Sequence, residues 1–521
     1  MDKRKKYKPG KYQAFLIGAL ILLSSVVFGC AESDETDDLP DADPVRTYYV
    51  SPGGRDANEG TIDAPLKSIN TTLKKAFPGD TVIVRTGTYY EKVSFPRSGS
   101  SDQYITLKAY PGEVPVIDGT GLPITGKEAL VTIRNVNYIV FQGFDVCNYK
   151  SSTPWVDVNG ILATEGSGNI IIRKNKIYNI EHNVKLEDGR SGHGIEIIGN
   201  TNVPMKNILV EENVIHDCNT GYSENLTING YVDGFIIRNN TIYNGENIGI
   251  DAAGGYAANS VPEHNYARNG LIVGNTVYQI ENALGPLGGY GAIGIYVDGA
   301  RNIIVERNKV FDSDRGIGLV SETDNYPTEG CIVRNNFVSN CWRTGIFLGG
   351  YLNYTSGGTR KCYVVNNTLA FNNKVLGYFN EVEGEIRLTE NCFDNVIKNN
   401  IIYARAENDV FVHKYTGTGS NNVIDYNLYY TIGAAKWIWN GTPYAGFAEW
   451  KQACGGDGHS TNGIDPILVN AAAPDLRIQP ASPAANTGIV ISADINGTLD
   501  MDGNARITNN KISKGAHEPV P

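Results

Sequence analysis

The sequence is poor in basic residues and in charge as a whole. Its 521 residues contain 45 Lys and Arg against 56 Asp and Glu, so the formal net charge is -11, and only 19% of the residues are charged. A protein that binds the phosphate backbone presents a basic surface, and nucleic acid is therefore excluded as a partner. An uncharged ligand, or one bridged by a cation, suits this composition better.

Closely spaced cysteines are absent as well, since none of the 8 Cys residues forms a C-x-x-C motif. Besides Cys30 there are seven, an odd number that cannot all pair, at positions 147, 218, 331, 341, 362, 392 and 454. This pattern gives no support to a zinc site. It predicts buried thiols that act as small core residues rather than a disulfide framework.

Long hydrophobic runs are absent except near the N-terminus. There a basic segment precedes about 16 apolar residues and then Cys30, whereas a membrane-spanning helix needs roughly 20. We therefore expect an export signal over residues 1–30. The sequence V-F-G-C at 27–30 resembles a bacterial lipoprotein cleavage box, with Phe28 bulkier than usual at its position. The resemblance implies a lipid anchor at Cys30.

The segment after Cys30 is strongly acidic. Residues 31–46 contain many Asp and Glu and few apolar residues, which predicts a disordered tether. The run resembles the acidic segments that direct some bacterial lipoproteins to the outer face of the cell. The expected location is therefore the outer membrane, on the cell surface, with the membrane contacted through the lipid anchor alone.

Helical periodicity is absent from most of the remaining chain, and a different repeat takes its place. The 59 Gly and 30 Tyr accompany short runs of Ile and Val, which is typical of many short strands joined by tight corners. An Asn before a β-branched or apolar residue recurs every 27 to 38 residues. We expect these amides to stack at one corner of an all-β solenoid whose variable loops wall a groove: Asn175, Asn213, Asn240, Asn275, Asn308, Asn336, Asn367, Asn400 and Asn427.

The repeat divides the chain into regions. Residues 47–129 are expected to form an N-terminal cap and the first coils, with a short amphipathic helix from about Ser68 to Ala76 covering the open end. Residues 130–430 are expected to form the β-helix itself. The pattern breaks after that, so residues 431–521 are expected to form the C-terminal coils and cap.

Polar side chains are predicted to form a row on the outer face of the coils. Because strand side chains alternate between two faces, aligning the inward Ile, Leu and Val residues fixes the outward positions. Three acids then lie on a diagonal, each one coil up and two residues further along: Asp251, Asp298 and Glu322. Neighbouring Cα atoms on this diagonal would be about 8 Å apart.

Paired carboxylates at such a spacing are typical of glycoside cleavage, in which one is the nucleophile and the other the acid/base. The segment from Asp298 to Glu322 also resembles β-helical β-xylosidases, which place a strand Asp one coil before a Glu. The resemblance implies that Asp298 is the nucleophile and Glu322 the acid/base, although Gly299 stands where an aromatic residue is expected. Asp251 would raise the proton affinity of Glu322 or bind a sugar hydroxyl.

The whole chain resembles secreted right-handed β-helix proteins of the pectin-lyase-like type. The resemblance rests on H-G-I-E-I at 193–197, S-E-N-L-T at 223–227, N-I-G-I-D at 247–251, V-S-E at 320–322 and G-E-I at 384–386. It implies a single-stranded right-handed parallel β-helix with an N-terminal helical cap and a C-terminal cap. The substrate-binding candidates are His193, Glu196, Glu224, Asn229, Tyr296 and Arg387.

Two other functions remain open. Elimination from a uronate needs a base, and usually Ca²⁺ or Arg to neutralise the carboxylate. The acid diagonal can bind Ca²⁺, and the base candidates are Arg387, Arg315, Arg343 and Lys185. A non-catalytic glycan-binding surface protein would use the acids only as a solvated face. Because Arg387 is the only cation in the outward row, the sequence favours a glycoside hydrolase acting on an extracellular oligo- or polysaccharide.

Overall fold

The computed structural model describes residues 44–352, 354–375, 383–407, 410–473 and 475–519. Cys30 and the predicted signal lie outside the described residues. Val45–Pro521 forms one compact unit, and its chain winds as a right-handed parallel β-helix of about thirteen coils. The predicted fold class is confirmed. In the described part of the chain, no helix has the length and hydropathy needed to cross a membrane.

Three long sheets run along this unit, and a typical coil adds one strand to each of them in the order I, II, III. Sheet I consists of Thr47–Val50, Thr81–Val84, Ile105–Ala109, Asn137–Gln142, Gly168–Arg173, Ile208–Glu211, Asp233–Arg238, Arg268–Val273, Arg301–Glu306, Ile332–Arg334, Tyr363–Val365, Val396–Lys398 and Val423–Asp425, with Thr328–Glu329, Thr359–Arg360 and Cys392–Phe393 beside it.

Sheet II consists of Gly87–Tyr89, Pro115–Asp118, Asp145–Ser151, Lys176–His182, Val214–His216, Thr241–Gly245, Thr276–Ile280, Lys309–Phe311, Phe337–Ser339, Thr368–Ala370, Ile401–Tyr403, Leu428–Tyr430 and Thr461–Asn462. Sheet III consists of Val93–Ser94, Lys127–Arg134, Asp157–Thr164, Gly192–Gly199, Glu224–Gly230, Ile248–Ala253, Ile293–Asp298, Arg315–Ser321, Ile346–Gly350, Ile386–Leu388, Val410–Lys414, Lys436–Trp439 and Thr442–Tyr444. The last pair in sheet III is antiparallel.

The remaining elements are short. A separate antiparallel pair consists of Leu468–Asn470 and Asp475–Ile478. The α-helices are Ile69–Leu73, Phe447–Cys454 and Ala493–Asn496, and the 3-10 helices are Leu186–Asp188, Pro262–His264 and Asn282–Leu284. The first helix lies within the stretch predicted to be helical and packs against the first coils. Near the other end, Trp437 and Trp450 are fully buried, so their rings serve the packing of the last coils.

The core consists of apolar side chains stacked from coil to coil. In sheet III one inward column is fully buried and in register from strand to strand: Ile195, Leu226, Ile250, Ile295, Ile317, Ile346 and Ile386. Burying each such side chain stabilises the fold by about 1.5–3 kcal/mol. The seven described cysteines are unpaired, and all but the half-buried Cys454 are buried, as the sequence predicts.

The Asn residues form the predicted ladder at one corner. From Asn175 to Asn400, each side-chain Nδ2 donates to the Oδ1 of the ladder Asn one coil further along, at 2.9 to 3.1 Å, and Asn427 is the last acceptor. Each amide also donates to a backbone carbonyl; Asn308 Nδ2 reaches Ile272 O at 2.9 Å and Glu306 O at 3.0 Å. The ladder therefore satisfies corner carbonyls that the strands leave unpaired.

Candidate functional site

A polar cleft of about 550 Å³ lies on the outer face of sheet III. It contains six carboxyl groups and two basic side chains among the described residues. Its principal lining residues are Lys127, Asp157, His193, Glu196, Glu224, Asn229, Asp251, Tyr256, Tyr296, Asp298, Glu322 and Tyr351. All the predicted site residues of the coils except Arg387 are thus brought together.

Strand register places the predicted row as the alignment requires. Glu196, Thr227, Asp251 and Tyr296 are successive Cα partners in sheet III, and the row continues through Gly318, Phe347 and Arg387. Gly318 fits this row because a Cβ atom there would lie 2.6 Å from ring atoms of Tyr296 and of Phe347. The absence of a side chain at Gly318 leaves room for both rings, and the Tyr296 hydroxyl donates to Glu322.

The outward acids are less exposed than their position suggests. Asp298 is the partner of Val320, and Glu322 lies two residues beyond Val320, as the diagonal predicts. Asp251 and Asp298 are nevertheless only 3% and 2% exposed. Asp298 faces the cleft, and its contact with the loop side chain of Tyr256 contributes to this burial.

Asp298 and Glu322 are joined by one backbone hydrogen bond, and each of them also accepts a hydrogen bond from a tyrosine hydroxyl. Asp298 Oδ1 accepts a hydrogen bond from the Glu322 backbone N–H at 3.0 Å, and Asp298 Oδ2 accepts one from the Tyr256 hydroxyl. Glu322 Oε1 accepts from the Tyr296 hydroxyl at 2.8 Å. Burial and then the charge of Glu322 raise the pKa of Asp298 well above its usual range, against the lowering effect of its two donors.

Asp251 lies beside this pair with one oxygen unsatisfied. Its Oδ1 has no hydrogen-bond partner among the described residues. Burial, followed by the charges of Glu224, Asp298 and Glu322, raises the pKa of Asp251 well above its usual range. Burial and like charge both favour the protonated form of this carboxyl.

A second charged network occupies the other end of the cleft. Lys127 Nζ lies 3.1 Å from Asp157 Oδ2 and 2.5 Å from Glu196 Oε1, and His193 Nε2 lies 3.0 Å from Glu224 Oε2. Burial disfavours a charged His193, but Glu196, Asp157 and Glu224 outweigh it and raise the pKa of the imidazole well above its usual range. Burial likewise opposes the charge on Lys127, yet Glu196 and Asp157 raise its pKa. Both cations are therefore fixed as charge partners of these acids.

Comparison with known proteins identifies relatives of this chain. The family described as "Pel9A-like, right handed beta helix region" matches residues 48–249. The uncharacterized protein YwoF of Bacillus subtilis is 32% identical over 441 residues, which cover 84% of this chain and 91% of YwoF. The chain belongs to the YwoF family of pectin-lyase-like right-handed β-helix proteins. Pectate lyase PEL9 of Emericella nidulans is 31% identical to this YwoF-family protein over 159 residues, 28% of the chain and 37% of that enzyme.

Solved structures resemble the YwoF-family chain only distantly. The GH136 lacto-N-biosidase from Eubacterium ramulus has a TM-score of 0.48 and 16% identity, covering 73% of this chain and 67% of its own. Pectate lyase Pel9A has a TM-score of 0.45 and 14% identity, covering 91% and 96%. XylC in complex with xylose has a TM-score of 0.43 and 12% identity, covering 90% and 98%. No conclusion about the reaction follows from these values.

The Asp157–His193–Glu196 group of this YwoF-family protein does not fit calcium. Oxygen or nitrogen atoms of Asp157, His193 and Glu196 lie within 4.8 Å of one another, but calcium takes six to eight oxygen ligands and this set includes an imidazole. In addition, Lys127 Nζ is already in contact with both carboxylates. The positive charge that these two acids require is therefore supplied by the protein itself.

Sequence reasoning about this YwoF-family cleft missed Lys127, Asp157 and Tyr256. Lys127 and Asp157 are Cα partners, and the strand of Asp157 pairs with that of His193. They lie five residues before Thr132 and Leu162, which continue the outward row from Glu196, so strict alternation assigns both to the opposite face and the alignment could not have found them. Tyr256 follows the strand Ile248–Ala253 in a loop, and no strand pattern reveals where a loop side chain points.

The cations proposed from the sequence as lyase bases lie elsewhere. Arg387 and Arg315 line a neighbouring pocket of about 270 Å³, where Glu383 forms ion pairs with both of them and with Arg343. Lys185 is 77% exposed in its side chain and lies 3.8 Å from Glu187. The basic side chains of the acid cleft are instead Lys127 and His193, among the residues that the structure describes.

Proposed function

We propose that this protein is a glycoside hydrolase that cleaves an oligo- or polysaccharide bound in the cleft of sheet III. The observation that carries the proposal is the Asp298–Glu322 pair, in which carboxyls from adjoining coils are joined through the Glu322 N–H and each is oriented by a tyrosine hydroxyl. Such a pair supplies the two groups that glycoside cleavage needs.

The hydrogen bonds support distinct roles for the two acids. Asp298 accepts from two donors, which favour its anion against the burial that raises its pKa, whereas Glu322 accepts from one. We therefore assign Asp298 as the nucleophile that forms a bond to the anomeric carbon, and Glu322 as the acid that protonates the departing oxygen. Glu322 then removes a proton from the water that displaces Asp298.

A uronate lyase is the second candidate, because PEL9 is a pectate lyase and shares 31% identity with part of this chain. Three features of the cleft favour hydrolysis instead. Six carboxyl groups against two basic side chains disfavour a uronate, the carboxylates around Lys127 raise its pKa and make it a poor base, and the Asp157–His193–Glu196 group does not suit calcium.

Product analysis separates the candidates. The full chain is incubated with a panel of plant, algal and host glycans, and both new reducing ends and the ultraviolet absorbance of unsaturated products are followed. A hydrolase produces reducing ends without the absorbance, and a lyase produces both together. A panel in which glycans bind without any cleavage identifies a non-catalytic glycan-binding protein and overturns the proposal.

Replacing Tyr256 by Phe is expected to shift the pH dependence of cleavage. The Tyr256 hydrogen bond lowers the pKa of Asp298, so its removal raises that pKa further and leaves less of the anionic nucleophile at low pH. The acidic limb of the kcat/KM profile should therefore move to higher pH. In Tyr243→Phe, a control in an aromatic stack on sheet II, the limb should not move. An unshifted Tyr256→Phe profile would exclude this role.

We also propose that the protein is anchored through a lipid on Cys30 and faces the outside of the cell. The support is the V-F-G-C sequence and the acidic run after it. Cys30→Ala should move the protein from the membrane fraction to the soluble fraction, because no acceptor for the lipid remains. Cys454→Ala serves as the control and should stay with the membranes. If Cys30→Ala fractionates like the unmodified protein, the anchor lies elsewhere.

A further inference from the structure

Three neighbouring side chains in the outward row of sheet III carry unsatisfied oxygens. Glu196, Thr227 and Asp251 are Cα partners on successive strands of sheet III and are 3%, 2% and 3% exposed. Glu196 Oε2, Thr227 Oγ1 and Asp251 Oδ1 have no hydrogen-bond partner among the described residues. Asn229 Oδ1, two residues beyond Thr227, shares this property.

Unsatisfied oxygens in such a row are suited to a ligand that donates hydrogen bonds. Buried polar groups in native proteins are nearly always paired, and leaving one unpaired destabilises the protein. The inward neighbours of this row, Ile195, Leu226 and Ile250, are fully buried apolar side chains, so the unpaired oxygens do not belong to the core. Glu196, Asn229 and Asp251 line the cleft itself.

We propose that Glu196 and Asp251, with Thr227 between them in the row, form a subsite that binds a neutral sugar unit through its hydroxyl groups and rejects a uronic acid unit. The placing of this subsite beside the bond to be cleaved rests on the proposed function, whereas the binding itself does not. Sugar hydroxyls are suited to the row because each can donate to a carboxyl oxygen and accept from a hydroxyl.

The charges around the row determine this preference. Glu196 is already neutralised by Lys127 at 2.5 Å, with His193 3.8 Å away. Asp251 Oδ1 accepts no hydrogen bond from the described residues, so this oxygen is open to a sugar hydroxyl. A uronate would bring one more acceptor and one more negative charge to a cleft with six carboxyl groups, and like charges brought together out of water repel strongly.

The row of Glu196, Thr227 and Asp251 lies next to the Asp298–Glu322 pair. Strands in a sheet are about 4.8 Å apart, so the Cα atoms of Glu196 and Asp251 are separated by about 9.6 Å, and Asp251 lies one coil from Asp298. The subsite therefore occupies the N-terminal side of the Asp298–Glu322 pair, and the unit that it selects is next to the bond that these acids would cleave.

Binding of matched monosaccharides tests this subsite without any need for catalysis. The full chain is titrated by ligand-observed NMR with glucose and glucuronate, galactose and galacturonate, and mannose and mannuronate. We expect the neutral member of at least one pair to bind, and its uronate to bind at least about tenfold more weakly. Thr227→Val keeps the side-chain shape and should weaken the binding of the neutral sugar by roughly three- to tenfold.

The matched control is Thr132→Val, which lies in the same outward row two strands below Glu196; it should bind like the unmodified protein. An unchanged thermal midpoint in Thr227→Val shows that the fold is intact. Equal or tighter binding of the uronates, no binding of any neutral sugar, or an unaffected Thr227→Val would each overturn the subsite. Binding of neutral sugars without glycan cleavage would support the subsite and contradict the hydrolase. Hydrolysis of a glycan without a preference for neutral sugars would contradict the subsite and support the hydrolase.

Discussion

Replacing Asp298 by Asn, or Glu322 by Gln, is expected to lower kcat for glycan cleavage by about a thousandfold or more. Both substitutions keep the size of the side chain and an acceptor for Tyr256 or Tyr296, so the cleft should keep its shape. Loss of Asp298 removes the nucleophile from every substrate. Loss of Glu322 should harm unactivated glycosides far more than aryl glycosides, because only the former need a proton on the leaving oxygen.

The control for this pair is Glu212→Gln, an acid that is 48% exposed in its side chain and lies 3.6 Å from Lys174, outside the cleft. It should retain full activity. Steady-state kinetics on one natural glycan and one aryl glycoside provide the measurement. Full activity in both Asp298→Asn and Glu322→Gln would contradict the assignment as a glycoside hydrolase. The uronate lyase and the non-catalytic glycan-binding protein would then be the remaining candidates.

Replacing Asn308 by Asp is expected to destabilise the protein by at least about 3 kcal/mol. The side-chain amide of Asn308 donates to Ile272 O, Glu306 O and Asn336 Oδ1. A carboxylate cannot donate to any of these oxygens, and it would place a negative charge against three buried acceptors. The thermal midpoint and the urea concentration at the midpoint of unfolding should both be lower than in the unmodified protein.

The same substitution on the same coil provides the control. Asn302 has a positive φ of 55°, and its amide donates one exposed bond, to Asn269 Oδ1 at 3.2 Å. Since Asp also tolerates this backbone conformation, Asn302→Asp should change the stability by no more than about 0.5 kcal/mol. Equal effects of the two substitutions would mean that the ladder does not stabilise the coils.

Much of the architecture follows from the local pattern of each coil. Alternating Ile, Leu and Val residues can be buried in one register only, since a slip of one residue would turn the whole column outward. This constraint is why Glu196, Thr227, Asp251 and Tyr296 occupy the predicted row. The Asn ladder is predictable for the same reason, because each amide has a partner of its own kind in the next coil.

The chemistry of the cleft is only partly local, and so it is only partly predictable. Asp298 and Glu322 lie on or next to strands, so their positions follow from the register. Tyr256 belongs to a loop, and the burial of Asp251 depends on residues from several coils. The alignment also placed Arg387 in the row correctly, but its contact with Glu383 in a separate pocket could not be read from the strand pattern.

The measurement that tests the central claim most directly is cleavage in water labelled with ¹⁸O, followed by mass spectrometry of the products. The glycan is the one that the full chain degrades fastest. If Asp298 and Glu322 hydrolyse the glycosidic bond, each new reducing end carries one labelled oxygen, because water supplies the oxygen on the anomeric carbon. The label should disappear together with the products in Asp298→Asn. Products that lack the label and are unsaturated would show that the bond is broken by elimination, and would contradict the account.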